Sequence, residues 1–422
     1  MSEADGGSAR DYPKLISIGV LHMAQYFPAA FTGIALPFIF RQEGLPLEMF
    51  WLLALPAIPR WLKWLIALVV DNYGSARIGY RKSWIIPCTM IGAVSYGLLA
   101  FIPPTVVAIY PIITILLFKS FVMAAQDIAV DGFAAEAMTD AERPVGTSII
   151  VFLSLLAAVL GAGAVVIVEQ FGWPTTMLAA SLLLIGAALP ALLRPEPPPP
   201  EASRLRRERG ERPDLLKALK RRDSLLILPY LFAFGFGGAF FSSMLGPFFA
   251  DLGLSLTEFG ILSVLSIIAG SGLGAVITPL LIGRYGMRTT ALLSLLTLPL
   301  EAVIFYYLAS TGALPGLPWI IALTTVVAFC TSIYSFVVNN SRFRWASRAQ
   351  AATDYSMQSS LWNLGVWAAG SVAGIAAGGM GWPNFFLLAA TLSLLAGLFY
   401  VYNFDRIEQL VLAREKLEVA AA

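Results

Sequence analysis

The 422-residue chain reads as an all-α polytopic membrane protein with twelve transmembrane helices in two pseudo-symmetric six-helix halves. Three observations carry that expectation. First, 58% of the residues are hydrophobic and 13% charged, where soluble domains carry about a quarter charged, and the mean hydropathy is +0.76. Second, apolar runs of the roughly 20 residues needed to cross a hydrocarbon core recur along the whole chain. Third, short motifs return in register between the first and second halves.

Taken in order, the spans fall at roughly 15–40, 47–70, 84–102, 106–137, 145–169, 174–193, 224–250, 257–282, 290–310, 318–341, 352–378 and 384–404. Tilt or extension beyond the bilayer absorbs the longer ones. The opening MSEADGGSAR belongs to a polar tail over 1–14, because no small-residue cleavage site follows the first apolar run. The N-terminal half is expected at 15–193, a linker at 194–223, the C-terminal half at 224–404 and a second tail at 405–422. Arg77, Arg81, Lys82, Arg143, Arg284, Arg288, Arg342, Arg344 and Arg348 fall on one side of the membrane, and the opposite loops carry Arg41 and almost no other basic residue. The positive-inside rule makes that basic side, with both termini, cytoplasmic. In the linker, a proline run predicts a stiff spacer and Asp214 onward a short surface helix.

The halves repeat. Gly172-Trp173-Pro174 opens the sixth span and Gly381-Trp382-Pro383 the twelfth, each after a glycine-rich span. Leu178-Ala179-Ala180-Ser181 is echoed by Leu388-Ala389-Ala390-Thr391, Asp71-Asn72-Tyr73-Gly74 by Gly283-Arg284-Tyr285-Gly286, and Gln126-Asp127 by Asn339-Asn340. Four matches in register argue for duplication into two parallel halves. Gly161, Gly163, Gly370, Gly374, Gly378 and Gly379 suit close helix packing, and Pro28, Pro37, Pro56, Pro59, Pro229 and Pro247 predict bends in the first, second and seventh spans.

Lys63 to Lys82, KWLIALVVDNYGSARIGYRK, resembles the cytoplasmic loop signature of the major facilitator superfamily, in a lengthened form. With Gln126-Asp127-Ile128-Ala129-Val130-Asp131 and Ala141-Glu142-Arg143, it looks like the AmpG muropeptide permeases and their acetyl-CoA transporter relatives. Leu21-His22-Met23-Ala24-Gln25-Tyr26-Phe27-Pro28 and Gly44-Leu45-Pro46-Leu47-Glu48 resemble the shorter siderophore permeases of the RhtX/FptX type, which match this length better than the fourteen-span enteric AmpG proteins. The resemblance implies the major facilitator fold in a bacterial cytoplasmic (inner) membrane, alternating access, and proton-coupled import. It puts a ferric siderophore first as substrate and a muropeptide second. It also implies that Asp71, at the end of the second span, helps close the two halves, with Arg81 and Lys82 adding charge pairing.

Ionisable residues inside spans mark functional sites by default, since each costs roughly 2.5–3.5 kcal/mol or more at the bilayer centre. The fourth span carries Lys119, Gln126, Asp127 and Asp131, and the second Arg60 and Lys63. At 100° per residue, Asp127 and Asp131 share a face, while Lys119 lies about 12 Å from Asp127 along the axis. The aspartates need cations, and Arg60 and Lys63 are available. The remaining positive charge invites a small anionic solute held by Arg60, Lys63 and Lys119, with Gln25 and Gln126 as neutral hydrogen-bonding groups. A rival reading has these bases only neutralising the aspartates. Asp127, Asp131 and His22, the one histidine, are the proton-coupling candidates, and His22 fits a packing role as well. Tyr26, Phe27, Phe234, Phe236, Phe240, Phe241, Trp362 and Trp367 are either bundle core or walls of a cavity. Glu301 suits a pair within the second half.

One histidine and two separated cysteines, Cys88 and Cys330, offer no metal spacing, disulfide framework or catalytic cluster. The sequence therefore predicts no enzyme, cofactor or metal, and a net charge of +2 gives no reason to expect nucleic acid. The expected partners are the bilayer, protons and the solute, with the chain acting as a monomer.

Overall fold

The computed structural model describes residues 11–70, 73–75, 77–139, 142–194, 196, 220–312, 315–347 and 351–420. Three of its helical stretches are too long for one crossing. Arg143–Leu193, Leu256–Thr311 and Ala351–Ala420 would measure about 75–105 Å as straight rods, against a hydrocarbon core of about 30 Å. Each breaks at one glycine with positive φ: Gly172 at 82°, Gly286 at 78° and Gly381 at 74°. A Cβ is disfavoured in that backbone region, so glycine lets one helix stop and the next begin within a single residue.

In chain order the twelve crossings are α1 Tyr12–Gln42, α2 47–70, α3 Lys82–Leu99, α4 Val106–Ala137, α5 143–171, α6 173–193, α7 Arg222–Asp251, α8 256–285, α9 287–311, α10 Leu317–Trp345, α11 351–380 and α12 382–420. Proline leaves its mark in the first, second and seventh. A π-helical turn, Phe31–Ala35, follows Pro28, and a 3-10 turn, Leu55–Ala57, holds Pro56. α2 bends by 45° between Trp61 and Lys63, and α7 is interrupted just before Leu245. The expected tail at 405–422 is corrected over its described part, because α12 continues to Ala420. Its Ile407 and Val411 are buried in the second-half core, and Arg414 pairs with Asp223 of α7. Asp71, Arg348, the proline-rich run and the helix expected from Asp214 lie outside the described residues.

Contacts along the helices fix their directions. The α1 start ties to the start of α5 through Lys14 and Glu142, 2.7 Å apart. Further along, a Cβ on Gly161 of α5 would stand 2.4 Å from the Phe27 carbonyl oxygen of α1, so only glycine permits that approach. α6 runs back against α3: Trp173 donates to the Leu99 carbonyl at 2.8 Å, Ser181 to Ala93 at 2.7 Å, and Glu196 lies at the α3 start. In the second half, Phe234 of α7 stacks with Tyr400 of α12, and Tyr230 meets the same ring at a tilt.

The bundle therefore has two chemically different ends. One carries Lys14, Arg81, Lys82, Arg194, Arg221, Arg344 and Arg414, and we call it the basic end. At the opposite end Arg41 is the one basic residue among the described residues.

Candidate functional site

The halves meet at the Arg41 end. Arg41 of α1 grips Asp251 of α7 with two parallel bonds, Nε to Oδ1 at 2.5 Å and Nη2 to Oδ2 at 2.8 Å. Gln42 donates to the Leu254 carbonyl at 2.8 Å, and Glu169 of α5 accepts from the Thr257 N–H in the first turn of α8 at 2.5 Å. Phe38 and Phe259 stack with ring centres 4.0 Å apart. Gly374 of α11 packs so closely on α2 that a Cβ there would stand 2.3 Å from the Leu47 carbonyl oxygen. Trp61 and Trp367 meet further in, with ring centres 5.9 Å apart. Towards the basic end, among the described residues, no hydrogen bond or ion pair crosses between the halves. Among the described residues, the polar ties across the seam therefore gather at the Arg41 end.

Three helices of the first half bring a charge cluster together. Lys63 of α2 sits 2.5 Å from Asp127 and 3.2 Å from Asp131 of α4, so one ammonium holds both carboxylates. His22 of α1 completes it, with Nε2 3.4 Å from Asp131 Oδ1 and Nδ1 2.9 Å from the Ile18 carbonyl oxygen. A carbonyl only accepts, so Nδ1 must carry a hydrogen. The contact between Nε2 and the carboxylate then needs a second proton, held on the ring or on Asp131. The Asp131 side chain is 56% exposed and that of Asp127 28%, on a face of α4 turned away from the lipid-facing Phe118. Solvent therefore reaches the Asp131 carboxylate from the side of α4 away from the lipid.

The other expected residues are placed as follows. Arg60 is exposed beside the cluster, with no ion pair among the described residues, so of the two expected bases only Lys63 pairs with the aspartates. Gln25 spends its amide N–H on the Met123 carbonyl at 3.2 Å. Gln126 is wholly buried and both its amide atoms lack partners. Lys119 corrects the expectation that it faces a solute. It is 3% exposed, its Nζ lies 5.4 Å from the Tyr96 ring centre of α3, and in this conformation it is sealed inside its own half. Arg81 bonds Glu136 of α4 at 2.9 Å, and the backbone N–H groups of Arg81 and Lys82 are both taken by Glu196, at 2.8 and 3.0 Å. The carboxylate seen capping α3 thus comes from the start of the linker. Glu301 is buried against Thr297 and Cys330, with neither carboxylate oxygen satisfied. Half of the aromatic set is core: Phe27, Phe234, Phe240 and Phe241 are buried, while Phe236, Trp362 and Trp367 are half-buried and Tyr26 is exposed.

Sequence reading missed the second-half wall. Thr331, Ser335, Asn339 and Arg342 recur along α10 within one helical stripe, opposite the exposed apolar Trp319 and Val326. Arg342 bonds Asn339 at 2.8 Å and Ser359 of α11 at 3.1 Å, and its Cζ lies 5.5 Å from the Tyr355 ring centre and 5.8 Å from that of Trp362. The polar residues at i, i+4, i+8 and i+11 were the available signal. Among the described residues no group of three or more His, Cys, Asp or Glu side chains is placed to hold a metal ion.

Comparison with known proteins agrees with this architecture. A sequence model of the Major Facilitator Superfamily matches residues 18–313. The chain is 25% identical to Putative transporter AmpG 3 of Rickettsia typhi, over 93% of this chain and 97% of that protein. It is 22% identical to Putative transporter AmpG 4 of Rickettsia conorii, with the same coverage. In structure it resembles the nucleoside transporter NupG, with a TM-score of 0.67 at 15% identity, covering 93% of this chain and 99% of that one. A D-xylose-proton symporter gives 0.68 at 13% identity, covering 91% and 95%. A duplicated twelve-helix bundle with polar walls, matched by the family model over most of its length, makes this chain a member of the major facilitator superfamily of secondary transporters.

Proposed function

We propose that the protein imports a small carboxylate-bearing solute with protons, across the bacterial cytoplasmic membrane, with the basic end and both termini in the cytoplasm. One observation carries the reading. The cluster Lys63–Asp127–Asp131–His22 presents its Asp131 carboxylate to solvent, in a bundle whose halves are latched at the other end by Arg41 and Asp251. This is the cytoplasm-facing state. A shared proton between His22 and Asp131 gives the coupling site a group whose charge can change as the cavity changes sides. Lys63 and the unpaired Arg60 supply cations beside it and Gln25 a neutral polar contact, while Gln126, wholly buried here, would meet the solute only in another state of the cycle. Arg81 and Lys82 anchor the cytoplasmic ends of α3 and α4 in this state, and Asp71 joins the closure when that end shuts. Lys119 serves the first-half core here and would reach the solute only if α3 and α4 part.

Two solute classes fit a donor-rich, cation-lined opening: a ferric siderophore and a muropeptide. Length no longer favours the siderophore, because a protein named AmpG is matched over 97% of its own extent. The opening motif supports siderophores less than it first did, since His22 belongs to the charge cluster and Gly44 to the turn after α1, at φ 85°. The muropeptide is therefore the first reading, and the siderophore stays as the second on its motif resemblance. Proteoliposomes with an imposed proton gradient decide between them. Saturable uptake of a labelled anhydromuropeptide, lost on adding a protonophore, is expected. Uptake of a ferric carboxylate siderophore alone would select the second reading, and uptake of neither would overturn both.

A further inference from the structure

We propose that Arg342 is a carboxylate-binding site on the wall of the second half, near the cytoplasmic mouth. Four observations converge. The guanidinium stands in the last turn of α10, partly buried at the basic end, yet among the described residues no carboxylate pairs with it. Its neighbours are neutral: it donates to Asn339 Oδ1 and Ser359 Oγ, and Tyr355 also donates to the same Asn339 oxygen, at 3.0 Å. The Tyr355 and Trp362 rings lie within 6 Å of Cζ, which stabilises the cation without neutralising it. Nε is buried and has no partner.

The result is a cation without a carboxylate, held in place by neutral groups. Asn339 and Ser359 take one N–H from each terminal nitrogen, which leaves a second N–H on each for a guest, while the Nε–H is buried in this conformation. A planar carboxylate meets such an edge with two bonds, the geometry in which arginine surpasses lysine. Thr331, Ser335 and Asn339 continue the same stripe along α10, so a solute moving along this wall would meet polar groups in turn. Three other partly buried arginines near this end have carboxylates: Arg221 with Asp354, Arg414 with Asp223, and Arg344 with Glu415. Arg342 differs from them in having neutral company only.

The inference rests on the reading of the protein as a carrier of carboxylate solutes, and its test separates the two. Glutarate is titrated into purified protein, and the tryptophan fluorescence change is followed, with Trp362→Phe identifying the signal. Wild type is expected to show a saturable change. Arg342→Gln is expected to weaken glutarate at least about tenfold, and Arg342→Lys, which keeps the charge but loses the fork, about threefold to tenfold. Glutaramide, the uncharged diamide, is expected to give no saturable change in any of them. An unchanged glutarate affinity in Arg342→Gln would overturn the site, even if transport fell. Should Arg342→Gln not fold, an Arg342→Lys affinity equal to wild type would overturn it in its place. If wild type takes up neither natural solute yet glutarate binding depends on Arg342, the transport reading fails and this site stands.

Discussion

His22 and Lys119 show how differently two buried cationic side chains can be employed. His22 is fixed by a backbone carbonyl on one nitrogen and faces Asp131 with the other, so its ring cannot turn without losing both contacts. His22→Gln keeps a polar group but cannot carry the proton. Proton-driven accumulation is expected to fall at least about tenfold, while exchange of labelled for unlabelled solute survives. Equal loss of both in folded protein would make His22 a packing residue. Lys119 has a ring beneath its ammonium and no carboxylate in reach among the described residues. Lys119→Met removes a desolvated charge at nearly constant volume, so thermal stability should hold or rise by about 1–3 kcal/mol with an unchanged KM. A KM raised severalfold in folded Lys119→Met would return this residue to the solute's route. Neither environment could be read from helical spacing. Spacing gives the angle at which a side chain leaves its own helix, whereas Lys119 was decided by where α3 stands.

Between elements, short polar ties at the basic end hold each half together. Glu142 is buried where α5 begins, bonded by Lys14 from α1 and by the Thr139 backbone N–H. The Lys14 ammonium, foremost, holds its carboxyl down at about 2 from an ordinary 4.5. A carboxyl whose folded pKa is depressed stabilises the fold above its unfolded value and loses that contribution as it is protonated. Wild type should therefore be more heat-resistant than Glu142→Gln at neutral pH. The gap in Tm should close as pH falls from 4.5 towards 2; a gap independent of pH would mean the tie is not electrostatic. Element boundaries were largely legible in the sequence, because apolar length and glycine-tryptophan-proline punctuation both follow from local chemistry. The long α12 was less so: Ile407 and Val411 form a narrow stripe among charges, and its worth depends on the second-half core it covers.

For the molecule as a whole, the duplicated architecture was readable from the repeats, but which end is shut was not. That depends on Arg41 and Asp251, distant in sequence and unremarkable in their loops. Removing the latch should shift the population towards the state open at the Arg41 side. In a Cys88→Ala/Cys330→Ala background, Ile34→Cys lies beside Gly246 across the seam. Adding Arg41→Gln should raise its labelling by a membrane-impermeant maleimide about tenfold, the population change expected from about 1.4 kcal/mol. Unchanged labelling would show that the apolar contacts around Phe38 and Phe259 keep that end shut by themselves.

The latch also has a built-in means of letting go. Arg41 keeps a bond from Nη1 to the Leu45 carbonyl at 2.8 Å, and Asp251 keeps one from the Trp382 indole N–H at 2.8 Å, each within its own half. When the pair separates, neither charge is stranded bare. Trp173, the matching indole of the first half, is committed instead to the backbone of α3. One copy of an inherited tryptophan became masonry and the other a doorstop, which keeps the parted state within thermal reach and lets the cycle turn many times.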